Sequence, residues 1–386
     1  MIHRRSFFGL TAAGTAAWTA GTAAFAGASA SAGTPAQPDY LTPLADIHPA
    51  GRGDPRPCDF TPEQRRAAGL TPETWTLDVV ADTETKPAPE LARPVTLDWP
   101  ALLRLAAKNT VRYLHVGSCT NMPDPLHMCL WEGVPLRDVL WMTGMKANVR
   151  RVWYRGPESE RFRSSLPLDR VLEEAPGELP VILAFKMNGR EIPGPLGGPV
   201  RLIAPGFYAN RSMKWVRHME LTNDFRANDN YAEGNNDVES RLKSYARFVK
   251  PPASIPARKP HTIAGLAQVG LSGLSQVQIC VLPENRQRSE EDWRPAEILP
   301  APKTWGADVA APPDAPLQFD RSGKPRTWPL RDAIVHWTAL LPALEPGPYT
   351  LCCRTIDAHG IAQPMPRPLP RTGWNAIHSV RITVEA

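Results

Sequence analysis

Leu114-His115-Val116-Gly117-Ser118-Cys119-Thr120-Asn121 ends an apolar run that begins at Val111, and it is followed by Met122-Pro123-Asp124-Pro125. A run of this kind reads as a buried strand, and the prolines after it cannot donate to a sheet ladder, so the chain leaves the sheet at Cys119. A thiol at the point where a buried strand enters a loop can be aimed into a cavity. As a thiolate it is a soft anionic donor suited to a transition metal. From the cysteine alone, a buried structural thiol is the plainer reading. His115 precedes Cys119 by an even step, which would place both on one face of the strand; a hydrogen-bonded core histidine is its plainer reading. His127 and Cys129 lie nearby, but the spacing His-x3-Cys-x7-His-x-Cys fits neither a common zinc template nor the blue-copper order.

Elements on either side mix helices and strands without regular βαβ alternation, which argues for an α+β fold. Thr61-Pro62-Glu63-Gln64 has the capping-box pattern of a short helix closed by Gly69. Trp75 to Val79 alternates as a strand, Asp98 caps a helix through Leu102 and Ala106, and Leu136, Val139 and Leu140 mark another that Gly144 stops. Leu183 and Phe185, then Val200, Leu202 and Ile203, read as buried strands. After Arg247-Phe248-Val249-Lys250-Pro251-Pro252 the helical patterning ends. Val277, Ile279 and Val281 alternate, Pro346-Gly347 turns into Tyr349 to Thr355, and Val380, Ile382 and Val384 alternate last. This second part reads as an all-β immunoglobulin-like sandwich.

The first thirty residues carry Arg4-Arg5, an Ala/Gly/Thr-rich apolar stretch and no acid, with small residues at Ala28-Ser29-Ala30 and Ala30-Ser31-Ala32. This is the pattern of a removable twin-arginine signal over residues 1–32, and implies export of a folded protein to the periplasm. The expected domains are therefore 33–248 and 249–386. A formal charge of +5, two arginines of which belong to the signal, is too small to suggest nucleic acid. The 43 prolines among 386 residues favour long ordered loops and edge strands over helical bundles. Cys352 and Cys353 are adjacent on a strand, point to opposite faces, and read as packing residues.

A second constellation is Arg201-Leu202-Ile203-Ala204-Pro205-Gly206-Phe207-Tyr208-Ala209-Asn210-Arg211-Ser212-Met213-Lys214-Trp215. Arg201, Arg211 and Lys214 supply fork-shaped and point-charge donors suited to a phosphate, with Ser212 and backbone N–H groups beside them. Together with Cys119-x-Asn121, Trp131 through Leu140, Ala184-Phe185-Lys186-Met187-Asn188-Gly189 and Gly198-Pro199-Val200-Arg201, this stretch resembles the molybdopterin domain of the sulfite oxidase family. The C-terminal part resembles that family's immunoglobulin-like dimerisation domain through Asp292-Trp293, Pro346-Gly347-x-Tyr349, Arg354-Thr355-x-Asp357, Gly360-x-x-Gln363-Pro364 and Trp374-Asn375.

The resemblance implies an α+β molybdopterin-binding domain of sulfite oxidase type followed by an all-β sandwich. In it Cys119 binds molybdenum, Asn121 shapes the loop, and Arg201, Arg211, Ser212 and Lys214 hold the pterin and its phosphate. It also implies two-electron oxygen-atom transfer on a small-molecule substrate by a homodimer. Three departures bear on the substrate. Phe185 stands where sulfite oxidases have a tyrosine, Leu196 where they have a histidine, and no arginine follows the cysteine motif. Tyr208 is the nearest alternative phenol. The family's N-terminal Arg-x-His segment has only His48, Arg52 and Arg56 as candidates. There is no Cys-x-x-Cys-His, hence no c-type haem, so electrons are expected to pass to a separate carrier, a c-type cytochrome or a membrane subunit. Sulfite or a related sulfur compound is the expected substrate. The alternatives are a reductase of a sulfoxide or other oxo compound, and an exported binding protein of the same fold without cofactor.

Overall fold

The computed structural model describes residues 39–386 apart from 123–124, 159–161, 228, 240, 307–308, 310–313 and 366. The twin-arginine segment lies outside the described residues. Among the described residues, no helix is long and apolar enough to cross a membrane.

Short helices form where the sequence caps them. Thr61 accepts from the Gln64 N–H while the Gln64 side chain accepts from the Thr61 N–H, and Pro62–Ala67 follows as a helix. Asp98 caps Trp99–Ala106 in the same manner through the Ala101 N–H. The helix Leu136–Trp141 ends before Gly144, which takes a left-handed conformation.

Two five-stranded sheets build the first domain. One has the order Val95–Asp98, Thr76–Ala81, His218–Thr222, Arg151–Arg155, Arg163–Pro167, with one parallel pairing between Thr76–Ala81 and His218–Thr222. The other runs Val111–Ser118, Pro125–Pro135, Ile182–Met187, Arg190–Glu191, and Arg201–Ile203 also pairs with Ile182–Met187. Alternation along the second sheet sends its side chains into different cores. Leu183 and Phe185 join the large core between the sheets and helices. Tyr113, Cys129, Trp131, Ile182 and Ala184 share a second cluster, and Leu114, Val116, Met128 and Leu130 a third.

The C-terminal region is all-β, as an immunoglobulin-like sandwich requires. Its eight strands follow the path Tyr245–Phe248, His261–Gln268, Ile334–Leu341, Arg294–Ile298, Gln276–Pro283, Gly347–Ile356, His378–Glu385, Ser254–Pro256. Val277, Ile279, Val335, Trp337, Leu351, Cys353, Ile382 and Val384 fill its core. Cys352 points the other way, towards Cys280 and Trp293. The strand Tyr245–Phe248, which the change of composition leaves in the first domain, pairs with Gly265–Gln268 of the sandwich. The Pro251-Pro252 signal marks the loop after that strand.

The two domains meet on the cysteine strand. Leu114, Val116, Met128, Leu130 and Tyr208 pack on Leu242, Trp305, Phe319, Leu330 and Ile334, with Tyr40 and Leu41 from the N-terminal segment. Along the strand's outer edge the Leu114 N–H donates to Gln318 Oε1, the Gln318 amide returns a bond to the Leu114 carbonyl, and the Val116 N–H donates to the Asp332 carbonyl at 2.7 Å. The edge of the sheet is thus covered by the second domain.

Asp332 is buried at this seam in a left-handed conformation, and its Oδ1 has no hydrogen-bond partner. Burial raises its pKa to about 6, partly offset by Arg170 and Arg241. A carboxyl whose folded pKa lies above its unfolded value contributes stability at low pH and loses it as pH rises through the folded value. Asn tolerates the left-handed conformation. Asp332→Asn is therefore expected to raise Tm near neutral pH, by at most about 3 kcal/mol of stability. The gain should vanish as pH falls towards about 4, as thermal unfolding across that range will show.

Candidate functional site

Cys119 is the first residue past its strand. The pairing with Pro125–Pro135 shifts register there, Gly117 facing His127 and Ser118 facing Pro125, so the additional residue of the bulge lies in the partner strand. Of the six cysteines Cys119 is the one not buried. Its thiol donates to Asn121 Oδ1, and the Thr120 hydroxyl between them is hydrogen-bonded to the Tyr231 hydroxyl. Gly117 is required by its neighbour, since a Cβ there would sit 2.6–3.1 Å from the ring of the buried His127. Because the additional residue lies in the partner strand, it does not interrupt the even step from His115 to Cys119; in the ladder His115 lies opposite Cys129.

On the same side of the sheet the chain gathers positive charge. Arg201 is buried, donates through Nη1 to the Leu196 carbonyl at 3.1 Å, lies 4.8 Å from the Trp131 ring centroid, and leaves Nε without a partner. Burial holds its pKa down at about 10. Lys214, partly buried, donates to the Ala50 carbonyl at 2.5 Å, and its pKa is lowered to about 8 by burial and then by Arg201. Gly197 lets the two cations approach each other. With φ at +108°, a Cβ there would meet Lys214 at 2.8 Å and Arg201 at 3.0 Å. His115 and His127 feel the same charges. Burial and then Arg201 lower the His115 pKa to about 3, and the same causes, with His115 and Lys214, push His127 well below the usual range. Both imidazoles are neutral, and His115 Nε2 has no partner.

The nearby carboxylate, Glu158, is itself kept towards its neutral form by burial, and accepts the Arg52 N–H at 2.7 Å. Two cations and two neutral imidazoles beside one disfavoured carboxylate make a site short of negative charge. Orphaned donors this deep are rare in a satisfied core. An anion such as a phosphate fits them, with a flat heterocycle on the tryptophan-walled side. The chemistry of the donors therefore fits a molybdopterin, with Cys119 as the soft ligand to its metal.

Other expected site residues have protein partners of their own. Arg211 is paired with a carboxylate: its guanidinium is buried in an ion pair with Asp229 at 2.7 Å and also donates to Ser164 and to the Ser165 and Val238 carbonyls, while its Nη2 is left without a partner. Ser212 Oγ accepts the Ala204 N–H and closes its own turn. Phe185 points away from the cation face into the large core, edge-on to Trp99, because odd and even residues of Ile182–Met187 face opposite sides. Tyr208 is buried at the domain seam, its hydroxyl donating to the Trp374 carbonyl at 3.3 Å and accepting the Lys243 N–H, and it lies near enough to Cys119 for the two to interact electrostatically. Leu196 packs in the core and contributes its carbonyl to Arg201. His48 is exposed and Arg56 pairs with Asp59, whereas Arg52 adjoins the site through Glu158. Sequence reasoning missed Tyr231, the phenol beside the cysteine loop, and Glu158. Nothing in their spacing ties either to Cys119.

Residues 65–230 match the family described as oxidoreductase molybdopterin binding domain. Over 101 residues the chain is 35% identical to sulfite oxidase of Gallus gallus, covering 24% of this chain and 21% of that protein. Over 175 residues it is 27% identical to an NADH nitrate reductase of Volvox carteri, covering 36% and 20%. The chain spans about a fifth of the length of these two relatives. The sulfane dehydrogenase SoxCD of Paracoccus pantotrophus has a similar fold, with TM-score 0.62 over 91% of this chain and 85% of that one at 18% identity.

The charge of Lys214 and the facing of Phe185 can each be tested by substitution. A lysine whose folded pKa is lowered costs stability while it is charged, and regains it as pH rises from about 8 towards its ordinary value. Lys214→Met is thus expected to stabilise the cofactor-free protein near neutral pH by roughly 1–2 kcal/mol, after discounting for partial exposure. It should also lower the molybdenum retained by the loaded protein, measured by metal analysis beside thermal unfolding. Phe185→Tyr is expected to bury an unpaired hydroxyl and lower stability by about 1–3 kcal/mol, with no gain in turnover; an active-site hydroxyl would do the reverse.

Proposed function

We propose that this chain, which carries the molybdopterin-binding oxidoreductase domain of the sulfite oxidase family, acts as a molybdenum-cofactor oxidoreductase that transfers an oxygen atom to or from a small molecule. The observation that supports this most strongly is the pairing of a half-exposed thiol, Cys119, with an anion-deficient cradle of Arg201, Lys214, His115 and His127. The cofactor supplies the two-electron oxygen-atom chemistry. The protein's part is binding and orientation. Cys119 provides the one soft ligand, and Arg201 and Lys214 neutralise the anionic part of the pterin. Trp131 offers a flat wall, and the Thr120–Tyr231 contact fixes the loop that carries the thiol.

Sulfite or a related sulfur compound is the substrate this reading favours, since a cationic, donor-lined site suits a small oxyanion. A reductase of a sulfoxide or other oxo compound is the second reading, supported by the similarity to a nitrate reductase. Electrons would pass singly to a separate carrier, a c-type cytochrome or a membrane subunit. The Arg4-Arg5 segment would send the folded, loaded protein to the periplasm, and the C-terminal sandwich would pair two copies.

Anaerobic purification with molybdenum quantification separates an enzyme from a cofactor-free binding protein of the same fold. Cys119→Ser is expected to perturb the Mo(V) spectrum and abolish turnover with sulfite and an artificial acceptor, while Cys129→Ser and Cys280→Ser alter stability at most. A Cys119→Ser protein with the wild-type spectrum would remove that residue from the site. Arg4→Lys with Arg5→Lys should leave folded, molybdenum-containing protein in the cytoplasm, as fractionation will show.

A further inference from the structure

The cofactor cradle leaves one buried ion pair unused. Arg211 and Asp229 are 1% and 3% exposed and 2.7 Å apart. Removing two charges from water costs about as much as their attraction restores, so such a pair is weak evidence of a stabilising role. Its position is more informative than its energy.

Arg211 is held from several sides. Its Nε donates to the Val238 carbonyl at 2.7 Å, its Nη1 to Ser164 Oγ at 3.0 Å and the Ser165 carbonyl at 3.2 Å, and its own carbonyl accepts the Tyr154 hydroxyl at 2.6 Å. Asp229 takes that guanidinium on Oδ2. With Oδ1 it accepts the Tyr231 and Ala232 N–H groups at 3.0 and 2.9 Å, which starts the short turn Asn230–Glu233. Tyr231 leaves that turn with its hydroxyl on the Thr120 side chain, and Thr120 stands between Cys119 and the Asn121 amide that accepts the thiol. An unbroken run of hydrogen bonds thus joins the rigid five-stranded sheet to the thiol loop.

We propose that Asp229 and Arg211 are positioning residues for the reaction: the pair fixes Tyr231, and Tyr231 through Thr120 fixes the direction in which Cys119 presents its sulfur. This extends the function proposed above, because an aimed sulfur is of use only with a metal to receive it. The chain of contacts itself belongs to the protein alone.

Alkylation tests it without the cofactor. Cys119 is the one cysteine not buried, so its carbamidomethylation by iodoacetamide in full-length protein from cells unable to make molybdopterin reports on the loop. The five buried cysteines report general unfolding. Asn caps helices as well as Asp, so Asp229→Asn keeps the turn and removes the charge. Asp229→Asn and Thr120→Val should each raise the Cys119 rate roughly three- to tenfold, and the double variant should not exceed the larger single effect, as members of one network behave. Arg258→Gln, which breaks an exposed pair with Glu345, should change nothing. An unchanged rate, additive effects, or labelling that spreads to the buried cysteines would overturn the proposal. In the loaded full-length protein, the pH dependence of the Mo(V) spectrum should move in Asp229→Asn as it does in Tyr231→Phe, and identical profiles for Asp229→Asn and wild type would also overturn it. Absence of molybdenum from the wild type would count against the proposed function, while the alkylation series would still decide the positioning role.

Discussion

The strand Val111–Ser118 is constrained on both faces and along one edge, and the rest of the molecule is arranged around it. One face, through Tyr113 and His115, lines the cation cradle, and the other, through Leu114 and Val116, packs on the C-terminal domain. Its edge donors and acceptors are taken by Gln318 and Asp332 of that domain. A strand fixed in this way cannot slip by one residue, because a slip would exchange its faces and put leucine and valine into the cradle. The strand ends at Ser118, and Cys119 leaves the sheet there. The sandwich is thus part of the site's scaffold.

The distribution of buried charge sorts residues that look alike in sequence. Arg201 and Arg211 lie ten residues apart in one motif and are both buried. Arg211 has its carboxylate in Asp229 and a set of oxygen acceptors. Arg201 has one carbonyl, an aromatic face and an unpartnered Nε, beside a lysine whose pKa burial and Arg201 lower to about 8. Each arginine leaves one guanidinium nitrogen without a partner, Nη2 in Arg211 and Nε in Arg201, and what distinguishes them is the carboxylate that neutralises Arg211. That difference leaves the charge of Arg201 available to an anion, as the function proposed above requires.

The N-terminal segment joins the two functions of the fold. Tyr40 and Leu41 are anchored at the domain seam with Trp305. Further on, the Ala50 carbonyl and the Arg52 N–H meet Lys214 and Glu158. The same stretch therefore fastens the domains together and lies against the cradle.

Local chemistry determined much of this from sequence alone. Caps at Thr61 and Asp98, the left-handed Gly144, the apolar run into Cys119 and the alternation of the last strands depend on neighbours a few residues away, and each formed as its pattern indicates. The Cys119 and Arg201–Trp215 motifs also carried the resemblance to the molybdopterin-binding domain that residues 65–230 match. Tertiary structure decided what depends on facing and on distant partners. Strand alternation sent Phe185 into the core, Asp229 paired with Arg211, Tyr208 was buried at the domain seam near Cys119, and Tyr231 came beside the cysteine loop from more than a hundred residues away. A motif specifies which side chains are present; whether a buried cation meets a carboxylate or leaves its charge for a ligand is fixed only when the whole chain has packed, because burial and pairing are properties of the folded surroundings.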